Sequence, residues 1–233
     1  MPSIRRVRRA TLTSKIEEAL RADIVDGVLP AGARLTAAEL TERYAVSPTP
    51  LREALQRLAA ENLVDLDPRL GATVARISRA HLRDTYHVRG VLESLAVAES
   101  VRRGDQAWED RLRHLFGEFE AAVAEAGKEG AHAVASWSRA HRDFHDGLMA
   151  ASDSAWLRSF LVMLNSHSER YRLLAARTGV RDPIGEHAAI YAAAVARDAD
   201  GTAEALRRHL ARTVELIEES LPVDEELPGI AAA

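Results

Sequence analysis

Residues Thr36–Arg76 read TAAELTERYAVSPTPLREALQRLAAENLVDLDPRLGATVAR, and this stretch decides the first fold. Thr36 followed by Glu39 has capping-box spacing, in which each side chain satisfies an orphan backbone N–H of the first helical turn. Leu40 and Tyr44 give that short helix one apolar face, and Ala45-Val46 make the turn. Ser47 is placed to cap a second helix, with Pro48 at its first position, where the missing N–H has no helical partner anyway. Leu51, Ala54, Leu55 and Leu58 recur at helical spacing and face inward; Thr49, Arg52, Glu53, Gln56 and Arg57 are left outside. Two short β-like runs follow, Leu63–Leu66 and Ala72–Ile77, with Pro68, Arg69 and Gly71 supplying turn chemistry between them. Two crossing helices with a hairpin behind them describe a winged helix-turn-helix.

This stretch resembles the DNA-binding domain of the GntR family of bacterial transcription regulators. The matching residues are Glu39-Leu40, Val46-Ser47, Thr49-Pro50-Leu51-Arg52-Glu53-Ala54-Leu55, Leu58, Leu63-Val64 and the wing glycine Gly71. Upstream, Gly27-Val28-Leu29-Pro30, Gly32 and Leu35 match the turn between the family's first two helices. The resemblance implies contacts to double-stranded operator DNA from Thr36, Ser47, Thr49, Arg52, Glu53, Gln56, Arg57 and Gly71. Many members carry an arginine after the serine, as a DNA contact; here that position is Pro48.

Working outward, charge separates the ends. The whole chain of 233 residues has a net charge of −4. Residues 1–76 hold 12 Lys and Arg against 10 Asp and Glu, and the remainder 19 against 25, so the positive balance coincides with the helix-turn-helix. Phosphate binding requires that placement. Hydrophobic residues make up 47% but aromatics only 5%, so the core is built mostly from Ala, Leu and Val, which favours closely packed helices. With no cysteine, a disulfide scaffold and a thiolate metal site are excluded. No apolar run approaches the roughly 20 residues that span a bilayer, and no apolar segment follows the N-terminal basic residues as in a secretory signal. A soluble cytoplasmic protein with no membrane partner is expected.

Residues 1–12, with Arg5, Arg6, Arg8 and Arg9, read as a flexible basic arm suited to DNA phosphates. The DNA-binding domain is expected over 13–77, opening with a helix that buries Ile16, Leu20, Ile24 and Val25 and stops at Gly27. From Ser78 to Leu221 the pattern is helical only, with about six helices: His81–Arg103, Ala107–Ala126, His132–Ala151, Ala155–Arg177, Ile184–Arg197 and Thr202–Ser220. The apolar set of the first is Leu82, Tyr86, Val88, Leu92, Leu95 and Ala96. Residues 222–233 read as a disordered tail. The fold class is mostly α, with a small β hairpin in the first domain and an all-α bundle in the second.

The bundle resembles the FCD ligand-binding domain of the FadR-type branch of the same family. The matching residues are Arg89 and Glu93 in its first helix, Phe144-His145 in the third, Glu186-His187 opening the fifth and Arg208-His209-Leu210 in the last.

Four of the nine histidines form a pattern. His141 and His145 lie four apart, on one helix face. His187 and His209 are 22 residues apart, which would separate them by about 33 Å on a single helix. The Asp198-Ala199-Asp200-Gly201 break puts them on two helices that can converge. Imidazole nitrogens suit zinc, nickel, copper or iron. The resemblance implies a divalent-metal site at these positions; the family's common set is an aspartate with three histidines, and the aspartate's position is His141 here. An all-histidine set is expected to hold a divalent transition metal, zinc or nickel foremost. His81, His87, His114, His132 and His167 read as ordinary interior or surface histidines, with His167 and Asn165 within reach of a pocket. Arg89 and Glu93, also four apart, read either as a surface ion pair worth a few tenths of a kcal/mol or, by the resemblance, as part of an effector pocket whose arginine holds a carboxylate.

Together these features point to a ligand-responsive transcription regulator acting as a homodimer on a palindromic operator, with a small organic acid as effector and no enzymatic activity. The competing expectation is a metal-dependent hydrolase in the bundle. Against it, Asp143 is two residues from both His141 and His145, and Asp146 neighbours His145 off its face, so neither stands as a general base.

Overall fold

The computed structural model describes residues 12–67, 71–126, 131–176 and 183–220. Residues 1–11 of the basic arm, the tail 222–233, Pro68 and Arg69 of the wing and residues 127–130 and 178–182 between helices lie outside them. The described elements run α1 (Leu12–Val25), β1 (Arg34–Leu35), α2 (Ala37–Arg43), α3 (Pro48–Ala60), β2 (Val64–Asp67), β3 (Gly71–Val74), α4 (Arg79–Arg103), α5 (Gln106–Ala126), α6 (Ala131–Leu148), α7 (Ala155–Ala176), α8 (Pro183–Val195) and α9 (Ala199–Ser220). The described chain forms two compact units. The first takes residues 12–81 together with Ser166–Leu173 of α7; the second takes the rest of the bundle.

In the first unit Ile16, Leu20 and Ile24 of α1 and Leu51, Ala54, Leu55 and Leu58 of α3 are all buried in one core with Leu35, Leu40, Leu63, Val64 and Val74. The periodicity of both helices thus faces inward as their spacing predicts. The three-stranded antiparallel sheet has the order β1-β3-β2, with Val64 opposite Val74 and Asp67 opposite Gly71. Gly71, at φ 88, sits where an L side chain is strained, and so marks the wing turn. The two-residue strand β1 has no sequence signal of its own; it exists because Arg34 and Leu35 meet Thr73 and Ala72 of β3.

Caps differ in detail from expectation. Thr36 caps α2, accepting from Glu39 N at 3.3 Å while its hydroxyl donates to Glu39 Oε2 at 2.5 Å. Ser47 occupies the cap position of α3, but its side chain makes no capping hydrogen bond. The turn between the helices puts Ala45 at φ 51, a left-handed conformation unusual for alanine.

Residues Ser166–Leu173 complete this unit through hydrogen bonds to backbone ends. His167 Nε2 donates to the carbonyl of Glu61, the C-cap of α3, at 2.7 Å. Arg170 donates through a guanidinium nitrogen to the carbonyl of Ala75, just past β3. The Tyr171 hydroxyl donates to Ser78 O at 3.1 Å, accepts from Ser78 N at 3.3 Å and lies 2.6 Å from His81 Nδ1. His167 is therefore an interior residue of the first unit.

The second unit holds helices α4–α9, apart from the α7 segment just described. Phe116 and Phe119 of α5 pack with Phe144 of α6, Leu112 and Leu148 are buried, and the Trp108 indole N–H donates to Gly147 O at 3.0 Å. Asp198 caps α9, accepting from Gly201 N at 2.9 Å, so the Asp-Ala-Asp-Gly break ends α8 and opens α9. The expected apolar set of α4 is only partly interior: Leu82, Tyr86 and Ala96 are buried, whereas Leu95 is 57% exposed. Among the described residues no helix is long and apolar enough to cross a membrane.

Candidate metal centre and DNA-reading face

The 3.6-residue turn places His141 and His145 one above the other on α6, with ring centroids 4.5 Å apart. His187 comes from α8 and His209 from α9, two helices packed together, with ring centroids 4.4 Å apart. All four are buried, at 5, 5, 0 and 3% exposure. One ring nitrogen of each lies within 4.8 Å of the others, and the Nε2 atoms of His145 and His187 face each other at 3.2 Å. Neighbouring imidazole nitrogens on one first-row ion, each about 2.0–2.1 Å from it, stand roughly 3 Å apart. The His145–His187 spacing matches that value, and the buried all-imidazole donor set could hold a divalent transition metal. Phe119, 4.5 Å from the His187 ring, and Phe144, 5.7 Å from the His145 ring, wall the cluster with apolar surface. The neutral imidazole is the form that ligates. The structure brings together all four histidines that the sequence singles out.

One carboxylate touches this cluster. Glu186, in the first turns of α8, accepts from His209 Nδ1 at 2.7 Å. The sequence shows Glu186 only as a family match; the signal for its contact is its place next to His187 at a helix start. Asp146 is held above the ordinary carboxylate range, chiefly by burial and then by Asp143 beside it.

Arg89 and Glu93 are an interior pair, with Nε to Oε1 at 2.6 Å and exposures of 6 and 0%, so the surface-pair expectation is corrected. The Arg89 guanidinium also lies 5.0 Å from the Tyr86 ring centroid. Taking two charges from water costs several kcal/mol per ion, offset only with close geometry and further polar partners. Asn165 is half-buried on α7.

On α3, Thr49, Arg52, Glu53, Gln56 and Arg57 are exposed, as is Ser47 at its start. Two of them are tied to α1: Glu53 accepts from the Thr13 hydroxyl at 3.0 Å, and Arg57 pairs with Glu17 at 3.1 Å. Thr49, Arg52 and Gln56 remain as the outward row. The Thr36 hydroxyl is engaged in its cap, and Gly71 is open at the wing.

A winged helix-turn-helix followed by a helical bundle is the architecture of a DNA-binding regulator. The profile of the bacterial regulatory proteins, gntR family, matches residues 12–74 and that of the FCD domain matches residues 84–212; the chain belongs to this family and is a transcription regulator of GntR/FCD type. It is 38% identical over 213 residues to the HTH-type transcriptional regulator BphR of Paraburkholderia xenovorans, covering 89% of this chain and 87% of that one. It is 30% identical to the HTH-type transcriptional repressor GlaR of Escherichia coli, covering 87% and 94%. The fold is shared with E. coli McbR/YncC, at a TM-score of 0.75 and 23% identity over 91% of this chain and 99% of that one. The relatives compared are named as transcriptional regulators.

Proposed function

We propose that the chain is a ligand-responsive regulator that binds a palindromic operator as a homodimer and senses a small organic acid at a metal site in the bundle. The observation that carries this is the convergence of His141, His145, His187 and His209, from three helices, with ring nitrogens within 4.8 Å in the buried interior. A divalent ion held there supplies positive charge and open coordination positions that attract carboxylates. Arg89, with its planar fork, suits the same ligand class. On the DNA side, Arg52, Thr49 and Gln56 form the reading row, and Thr36, Ser47 and Gly71 approach phosphates. Paired half-sites require two heads at fixed separation, hence the dimer. Ligand changes operator affinity only through different affinity for two arrangements of the dimer.

Elemental analysis with thermal melts tests this reading. The purified chain is expected to hold about one zinc or nickel equivalent, and its melting temperature to rise with either ion and again with a small carboxylate. His187→Ala is expected to abolish the bound ion; His141→Asp is expected to keep one. Absence of an ion, with no stabilisation by zinc, nickel or manganese, reduces the four histidines to interior polar residues.

A further inference from the structure

An imidazole ligates in its neutral form, so the four candidates would bring no negative charge of their own to a dication between Phe119 and Phe144. A carboxylate touches the set from outside. Glu186 Oε2 lies 2.7 Å from His209 Nδ1, and the His209 side chain is 3% exposed against 29% for Glu186. An ionised carboxylate can only accept, so the hydrogen sits on His209 Nδ1. The other nitrogen, Nε2, then carries the lone pair. Without that partner a neutral imidazole has two tautomers, and one of them points an N–H at the ion.

The local fold explains why this carboxylate is available. Consecutive residues on a helix diverge by about 100°. His187 therefore turns into the cluster, fully buried, while Glu186 turns toward α9 and meets His209. The dipeptide thus reaches the cluster twice, once as a ligand candidate and once behind a ligand candidate on another helix. Its place in the first turn of α8 also suits a negative charge.

We infer that Glu186 is a positioning residue for the metal site: it fixes His209 in the Nδ1–H tautomer with Nε2 toward the ion, and it lends the all-imidazole set a negative charge one bond removed from coordination. This rests on the metal reading above. Outer partners of ligating histidines are worth roughly 10–100-fold in metal affinity.

The test uses the full-length chain and zinc alone. Zinc affinity is measured by competition with a chromophoric chelator for the wild type, Glu186→Gln and Glu186→Ala. Ring-nitrogen NMR of the metal-free proteins reports the His209 tautomer. Glu186→Ala is expected to bind zinc roughly 10–100-fold more weakly. Glu186→Gln, which keeps an acceptor but no charge, is expected to fall between. The metal-free wild type is expected to show His209 protonated at Nδ1, and Glu186→Ala to shift His209 toward Nε2–H. A contact that merely ties α8 to α9 would lower the metal-free melting temperature without moving zinc affinity in the isosteric Gln variant. Unchanged zinc affinity in both variants, or a wild-type His209 protonated at Nε2, overturns the assignment while leaving the metal reading standing. A wild type that binds no zinc removes both.

Discussion

At the scale of single residues, two side chains carry separate predictions. Arg52 stands on the outward face of α3, while its neighbours Glu53 and Arg57 are engaged with Thr13 and Glu17 of α1. Arg52→Ala is expected to weaken specific operator binding by about 1–3 kcal/mol if it reads a base edge. Arg57→Ala is expected to act partly through the lost α1 contact, and so to lower stability as well. Titrations at matched salt, beside a urea melt of each variant, separate the two. His167 carries a pH dependence. Burial pulls its pKa below the ordinary histidine value, against the raising effect of its hydrogen bond to the Glu61 carbonyl, and the cations Arg170 and Arg21 push the same way as burial. The unfolded chain therefore takes up this proton first. Stability from His167 is complete above about pH 6.5 and is lost as pH falls from there through its lowered folded value. His167→Gln keeps an N–H donor and cannot be protonated, so its urea stability between pH 7.5 and 5, with chelator present, is expected to fall less than that of the wild type.

At the scale of elements, the bundle corners depend on space more than on backbone conformation. A Cβ at Gly104, between α4 and α5, would stand 2.4 Å from Cε3 of the Trp108 ring and 2.9 Å from Ser100 O. Neither is a flexible chain end. Gly104→Ala is expected to cost about 1–3 kcal/mol, a fall of a few degrees in melting temperature for a chain this size, measured by calorimetry. How much of the elements the sequence discloses follows from the range of the forces that set them. Helix faces such as Ile16–Leu20–Ile24 and Leu51–Leu55–Leu58 are visible because periodic burial is a local pattern. The histidine cluster is visible because two of its members share a helix face and the Asp198–Gly201 break separates the other two. Strand β1 is invisible, being made by pairing with residues almost 40 positions away. Leu95 misleads because helical spacing shows that residues share a face but not which neighbour covers it. The Glu186–His209 and Glu61–His167 contacts span 23 and 106 residues, and no spacing rule reaches so far.

At the scale of the whole molecule, the proposed assembly is a dimer, since one head cannot read both halves of a palindrome. Sedimentation of the full chain is expected to give twice its 25.5 kDa mass; a monomer at concentrations that saturate operator DNA would remove the paired-site reading. Genetic dissection meets a complication in α7. A sequence-level seam near Ser78 looks like the place to join this DNA reader to a different sensor. Yet the carbonyls of Glu61 and Ala75 and both backbone groups of Ser78 are satisfied by His167, Arg170 and Tyr171, 93 to 106 residues downstream. A chimera cut at Ser78 inherits those unsatisfied groups, and an acceptor bundle lacking the same face cannot restore them. A DNA-binding unit transferred together with Ser166–Leu173 of α7 is expected to keep these partners, and one cut at Ser78 is expected to lose them.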